Sequence, residues 1–203
     1  MSYPVDRPPL ILASGSPRRQ SLLAGLGVPF STVVPPIDEE AVVAPGDPAG
    51  LVLARARAKA EAVAAKHAGL IIGADTVVVI DGDVLGKPVD AQAASRMLGR
   101  LAGRRHEVYT GLVVVDSLTG EKAEAVEVTR VFMRPLTPGQ IDAYVASGEP
   151  LDKAGAYAVQ GLGALLIERI DGCFYNVVGL PLMRLGLLLA HFGIDLISSA
   201  RVG

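Results

Sequence analysis

The apolar run Leu10-Ile11-Leu12-Ala13 breaks into Ser14-Gly15-Ser16-Pro17-Arg18-Arg19 and resumes with Leu22, Leu23 and Leu26 at helical spacing. Four consecutive apolar residues ahead of a Ser-Gly-Ser turn read as a short buried strand, and the spacing after the turn reads as a helix with one apolar face. Ser16 suits the N-cap and Pro17 the first helical position, where its missing N–H costs nothing. The chain must therefore fold here as strand, tight turn and helix. Backbone N–H groups and the positive end of the helix dipole then lie beside Arg18 and Arg19, which are surroundings that attract phosphate. Ser14, Ser16, Arg18 and Arg19 are accordingly candidate substrate-binding residues. A capped helix with two solvated arginines is the plainer alternative.

The rest of the chain bounds what such an anion could be. With 203 residues, half of them hydrophobic, the protein can bury a full core as one domain or as two lobes sharing a sheet. A formal net charge of −2 lacks the basic excess that nucleic acid or an anionic membrane demands, so neither is an expected partner. The single cysteine, Cys173, allows no internal disulfide or zinc cluster and suits a reducing cytoplasm. Met1 to Pro9 carries three prolines and no apolar segment of signal-peptide length, so it reads as a short arm ahead of a single two-lobed domain over 10–203. The apolar stretch Ala68 to Ile80 is broken by Gly73 and Asp75 and falls short of a membrane span.

Periodicity and turn chemistry divide the chain further. Strands are predicted at Leu10 to Ala13 and Phe30 to Val34, with a loop from Pro35 to Pro48 that carries Asp38-Glu39-Glu40. Ala49 to His67 reads as a long alanine-rich helix whose basic side is solvated. Gly69 to Ile80 is a strand that turns back through Asp81-Gly82 into Val84 and Leu85. Asp90 caps a helix to Leu101, and Glu107 to Val115 pairs with Ala123 to Met133 around Thr119-Gly120. A helix over Pro138 to Ala146, short strands on both sides of Asp171-Gly172 and a last helix from Pro181 to Phe192 complete the pattern. Helices interleaved with parallel-type and hairpin strands specify an α/β protein with a mixed sheet and room for a cleft between two lobes.

Asp75 is the strongest catalytic candidate, because a carboxylate inside Ile71-Ile72-Gly73-Ala74-Asp75-Thr76-Val77-Val78 is costly to bury unless paired, metal-bound or facing a cleft. A strand-end aspartate bonded to backbone is an equal alternative from this segment alone. Lys87, just past the hairpin, can bring a cation toward that strand edge. Glu39 supplies a second carboxylate, and Glu39 with Asp75 can hold magnesium, a cation that takes oxygen ligands and keeps waters while binding substrate phosphates. His67, His106 and His191 are scattered and read as structural or surface residues. Asp152 and Lys153 precede Ala154-Gly155-Ala156-Tyr157-Ala158-Val159-Gln160-Gly161, small residues that let backbone approach a ligand, and the Gln160 amide can read a base edge or serve the fold. Aromatic residues are few, so no multi-aromatic cage for a nucleobase is expected.

Ser14-Gly15-Ser16-Pro17-Arg18-Arg19, Gly73-Ala74-Asp75-Thr76, Lys87-Pro88, Asp152-Lys153-Ala154-Gly155, Gln160-Gly161 and Val178-Gly179-Leu180-Pro181 together resemble the Maf family of nucleoside triphosphate pyrophosphatases, over about Leu10 to Phe192. The resemblance implies a curved mixed sheet flanked by helices, two lobes around a cleft, and often a homodimer. It also implies metal-dependent cleavage of the α–β phosphoanhydride by water, with magnesium or manganese as the divalent cation. Asp152-Lys153-Ala154-Gly155 leading to Gln160 resembles the branch acting on dTTP and UTP, a housecleaning role against non-standard nucleotides. The branch that prefers 7-methyl-GTP and a nucleotide-binding regulator of cell division are the alternatives. By this likeness Asp75 is proton acceptor or metal ligand, Arg18, Thr76 and Gln160 influence substrate choice, and Glu39 and Lys87 are polar cleft positions. The family helix carries Leu-Ala-x-x-Lys-Ala, and aligning Leu53-Ala54 puts Arg57 at the lysine, with Lys59 two residues away and pointing elsewhere.

Overall fold

The computed structural model describes residues 8–44 and 46–199. Most of the Met1 to Pro9 arm lies outside the described residues. The elements run β1 (Leu10–Ala13), α1 (Pro17–Ala24), β2 (Phe30–Val33), α2 (Pro48–Ala64), β3 (Leu70–Ile80), β4 (Asp83–Leu85), α3 (Ala91–Leu101), β5 (Arg105–Asp116), β6 (Lys122–Met133) and α4 (Pro138–Ala146). Three short 3-10 turns at Glu149–Asp152, Ala154–Ala156 and Gly161–Leu166 lead to β7 (Ile167–Asp171), α5 (Phe174–Val178), α6 (Leu182–His191) and α7 (Leu196–Ser199). Seven strands form one sheet in the order β2-β1-β3-β5-β6-β7, with β4 on β3. β1 pairs parallel with β2 and β3, whereas β4 on β3 and β7 on β6 are antiparallel. The fold is the mixed-sheet α/β arrangement that the sequence specifies, and among the described residues no helix is long and apolar enough to cross a membrane.

Local chemistry sets the element boundaries. The Ser16 side chain accepts from the Arg19 N–H at the start of α1, and Asp47 accepts from Gly50 N–H ahead of Pro48 in α2. Asp90 caps α3, and Thr137 with Gln140 forms a capping box on α4. Asp81 and Gly82 take φ of 54° and 82°, the paired left-handed conformations of a two-residue hairpin turn. One expectation fails: the segment after Asp171-Gly172 is the helix α5, not a second short strand. Asn176 explains the change, because its buried amide donates to the Val108 carbonyl and to Thr129 Oγ1 and so fixes the turn of helix against β5 and β6.

The described residues divide into two compact units. The first comprises those up to Asp75, Thr110–Glu127 and those from Gly179; the second comprises Thr76–Tyr109 and Val128–Val178. In the first unit both faces of the sheet are covered, which is why its strands read as continuous apolar runs. Leu10, Leu12, Leu70, Ile72, Leu112 and Val114 point to one side and pack with Leu23 of α1 and Leu185 and Leu189 of α6. Ile11, Ala13, Ile71, Val113 and Val115 point to the other and pack with Ala56, Ala60 and Val63 of α2. Strand alternation puts Gly73 and Asp75 on this second side with Ile71.

At that face α2 lies directly on the sheet. A Cβ on Gly73 would stand 2.2 Å from the Ala56 carbonyl oxygen, and one on Gly111 would stand 2.4 Å from that of Val52. Both neighbours are helix backbone, which cannot yield as a side chain can. In the second unit, Ala94, Leu98 and Leu101 of α3 share one face and pack with Val78, Ile80, Val131, Met133 and Tyr157. His106 is buried there with its Nε2 2.7 Å from the Tyr157 hydroxyl.

Gly73→Ala and Gly111→Ala should each lower the stability of the protein by about 1–3 kcal/mol or more through overpacking, while Gly99→Ala in α3, where a Cβ meets nothing, should raise it by about 0.5–1 kcal/mol; denaturant midpoints measure both. Burial pushes the His106 imidazole from its ordinary 6.5 down to about 4. The unfolded chain takes up this proton as pH falls through about 6.5 and the folded protein only near 4. This one group should thus remove about 3 kcal/mol of stability across that window, and His106→Gln should flatten that part of the stability–pH curve.

Candidate active site

Because Gly73 admits the helix backbone at Ala56, the next residue on the same face of α2 arrives at the next residue on the same face of β3. Lys59 lies three positions after Ala56, and Asp75 lies two positions after Gly73. Lys59 Nζ donates to Asp75 Oδ1 at 2.7 Å and to the Ala74 carbonyl at 3.3 Å. Its ammonium also stands 2.9 Å from Glu39 Oε2. Lys59 and Asp75 are only 3% and 4% exposed, so the pair sits in a medium where each charge depends on the other. Glu39 is brought to this ammonium by the acidic loop, which is tied to α2 where Arg55 Nε donates to the Val42 carbonyl and to itself where Val42 N–H donates to the Glu39 carbonyl.

Lys59, which the sequence reading set aside in favour of Arg57, is the cation that the structure brings to Asp75 and Glu39, whereas Arg57 pairs with Glu124. Arg57 Nε and Nη2 bond Glu124 at 2.7 Å each, a forked pair with the arginine side chain 44% exposed. The signal was present. Val52, Ala56, Lys59, Ala60 and Val63 form the buried stripe of α2, so the lysine stands on the apolar face and not on a solvated basic one.

The Ser14 to Arg19 turn is built as its chemistry predicts. Ser14 is buried and its Oγ accepts the Ser16 N–H at 3.1 Å, while the Ser14 carbonyl accepts from the Gln20 amide. Arg19 turns inward: Nε donates to the Gly179 carbonyl at 2.8 Å and Nη1 to the Ala74 carbonyl at 3.0 Å. Burial lowers the Arg19 pKa, and the nearby carboxylates Asp75 and Glu39 oppose that shift. One arginine of the pair thus anchors the segment before Asp75, and Arg18 is half-buried at the helix start.

The remaining candidates belong to the second unit. Thr76 is half-buried, and Lys87 is exposed just beyond Gly86, whose carbonyl accepts from the Gly155 N–H at 3.0 Å. That bond brings the Asp152 to Gly155 turn to the base of Lys87. Lys153 is engaged within its own loop, donating to the Glu149 carbonyl and to Asp152 Oδ1. The small residues after it serve packing: Gly155 and Ala156 are buried, and a Cβ on Gly155 would press on Val78 at 3.0 Å. Gln160 is exposed on extended backbone.

Among the described residues no group of three or more histidine, cysteine, aspartate and glutamate side chains converges on a metal centre. Asp75 and Glu39 nevertheless suit a hard divalent cation. Asp75 Oδ2 is buried and has no hydrogen-bond partner, so it is an oxygen donor held ready once Lys59 has taken Oδ1. Two carboxylates with one such oxygen match an ion that draws its other ligands from water and phosphate.

A family model described as Maf-like protein matches residues 9–192. The dTTP/UTP pyrophosphatase of Moorella thermoacetica is 55% identical over 187 residues, covering 92% of this chain and 96% of that one. The dTTP/UTP pyrophosphatase of Symbiobacterium thermophilum is 53% identical, covering 91% and 94%. A solved nucleoside-triphosphatase / dITP/XTP pyrophosphatase from Mycobacterium abscessus aligns over 68% of this chain and 94% of that one at 15% identity and a TM-score of 0.40, a likeness too remote to carry a structural argument.

Removing Lys59 should strand a buried carboxylate. Lys59→Met is expected to cost about 3–5 kcal/mol, with much of it recovered in the double variant Lys59→Met/Asp75→Leu. Arg57→Ala should stay within about 1 kcal/mol of wild type, as exposed pairs do. Urea unfolding of the four proteins distinguishes the two cations.

Proposed function

The chain belongs to the Maf-like family, and from that premise we propose that it hydrolyses the α–β phosphoanhydride of dTTP and UTP, releasing the nucleoside monophosphate and pyrophosphate. The reading rests on relatives of that activity aligned over more than nine-tenths of this chain. The geometry that gives it a mechanism is the Lys59 and Asp75 pair, with one carboxylate oxygen held and the other open. Such an enzyme acts on nucleotides of the cytoplasm and limits incorporation of unwanted pyrimidine nucleotides into nucleic acid.

Hydrolysis at phosphorus needs a positioned water, a proton acceptor and neutralisation of developing charge. Asp75 Oδ2 accepts the proton of the attacking water. Lys59 holds Oδ1, so the carboxylate cannot rotate away, and its positive charge offsets the cost of burying it. Glu39 shares the same ammonium, so two carboxylates meet one buried cation. Arg18, at the positive end of α1, binds substrate phosphate with Ser14 and Ser16 shaping the turn, and Arg19 holds the backbone that carries Asp75. Lys87 contributes a further cation, while Thr76, Asp152, Lys153 and Gln160 are assigned to substrate choice. Glu39 would hold the divalent cation, magnesium or manganese, which would supply charge neutralisation at the phosphates; Asp75 would join it as a ligand only in place of acting as the proton acceptor, since Oδ2 is its one open oxygen.

Pyrophosphate release from dTTP, UTP, CTP, GTP and 7-methyl-GTP with either metal tests this reading. Wild type should prefer dTTP and UTP, and Asp75→Asn, assayed on protein shown to be folded by circular dichroism, should lower kcat by about 10²–10⁴-fold. A preference for 7-methyl-GTP would replace the substrate but keep the reaction. Near-wild-type turnover by Asp75→Asn would remove the aspartate from the chemistry.

A further inference from the structure

Glu149 ends in no role so far, yet its carboxylate takes more backbone donors than any other acid described above. Oε1 accepts from the Tyr144 hydroxyl at 2.8 Å and from the Gly163 N–H at 2.9 Å, and Oε2 accepts from the Leu162 N–H at 3.0 Å. The Tyr144 oxygen in turn accepts the Ala158 N–H at 3.2 Å. Gln160 lies midway between these attachment points. The backbone is thus fastened two residues before Gln160 and again two and three residues after it, all through one tyrosine and one carboxylate within the second unit.

The fit of carboxylate to turn is close. Gly161 has φ of +65°, and a Cβ there would come within 2.6 Å of Glu149 Oε2, so only glycine allows the acid to lie against the chain. Burial pushes the Glu149 carboxyl up, but the Gly163 N–H, the Tyr144 hydroxyl and the Leu162 N–H outweigh it and hold the group below its ordinary range. Charge-assisted bonds to backbone N–H groups are the stronger kind. The Gln160 side chain, by contrast, is exposed and makes no hydrogen bond among the described residues. A glutamine that reads a base edge from a loose loop would lose most of that contact to the entropy of ordering the loop, whereas one on a fixed backbone would not.

We propose that Glu149, with Tyr144, is a positioning residue that fixes the backbone carrying Gln160 and thereby sets discrimination between pyrimidine nucleotides without touching substrate. This rests on Gln160 as the residue that reads the base.

Steady-state kcat and KM for UTP and CTP should be measured for wild type, Glu149→Ala, Glu149→Gln, Gln160→Ala and the double variant Glu149→Ala/Gln160→Ala. Glu149→Ala should lose about tenfold of the UTP-over-CTP preference, chiefly through a raised KM for UTP and with kcat changed by no more than about threefold. Glu149→Gln, which keeps one acceptor oxygen, should recover part of the loss. The double variant should discriminate no worse than Gln160→Ala alone, because both act on one contact. Should Glu149→Ala not fold, Tyr144→Phe removes the link to Ala158 and one donor to Glu149, and it should show a smaller loss of the same kind. Equal losses on both nucleotides, or additive losses in the double variant, would overturn the proposal. Lost preference in Gln160→Ala with none lost in Glu149→Ala would overturn the positioning role alone. Unchanged preference in Gln160→Ala, or a wild type without any, would overturn the base-reading assignment and this proposal with it.

Discussion

The approach of α2 to the sheet is the constraint on which the arrangement depends. Gly73 and Gly111 remove the two Cβ atoms that would otherwise hold the helix backbone away at Ala56 and Val52. Seated on glycine, the helix delivers the Lys59 ammonium to hydrogen-bonding range of Asp75, a carboxylate that is 4% exposed. Backbone packing here sets electrostatics, because a buried carboxylate without its cation costs several kcal/mol. The same contact leaves the second carboxylate oxygen, Oδ2, buried and without a hydrogen-bond partner.

Charge in the first unit is divided between two duties. Arg19 and Lys59 are turned inward and fasten backbone carbonyls, at Gly179 and at Ala74, as well as neutralising acids. Arg57, Lys122 and Arg184 pair with Glu124, Glu61 and Glu127 at the surface, where solvent screens them and their worth is small. The Ala74 carbonyl accepts from both Arg19 and Lys59, so the peptide just before Asp75 is held from two helices. That double hold fixes the backbone that carries the carboxylate.

Much of this was legible in the chain, for reasons that lie in local chemistry. The β1 to α1 turn, the Asp81-Gly82 hairpin and the caps Asp90 and Thr137 follow from groups interacting with their own neighbours in sequence, so few alternatives compete. Asp75 stood out because a carboxylate in an apolar strand demands an explanation. Lys59 did not, since a lysine in an alanine-rich helix resembles a solvated one until the buried stripe from Val52 to Val63 is followed residue by residue. The Phe174 to Val178 segment has aromatic and β-branched residues that favour strand, and the amide of Asn176 overrides them through contacts far away in sequence. The small residues near Gly155 suggested a ligand, but the surface they accommodate is Val78 of the protein's own strand. In each of these cases the deciding partner is distant in sequence, so pattern and propensity carried no record of it.

The most direct test of the central claim, attack on the α-phosphorus by a water that gives its proton to Asp75, is hydrolysis of UTP in heavy-oxygen water with mass analysis of both products. The account predicts one heavy oxygen in the nucleoside monophosphate and none in pyrophosphate. Label appearing in pyrophosphate would place the attack on the β-phosphorus and contradict it.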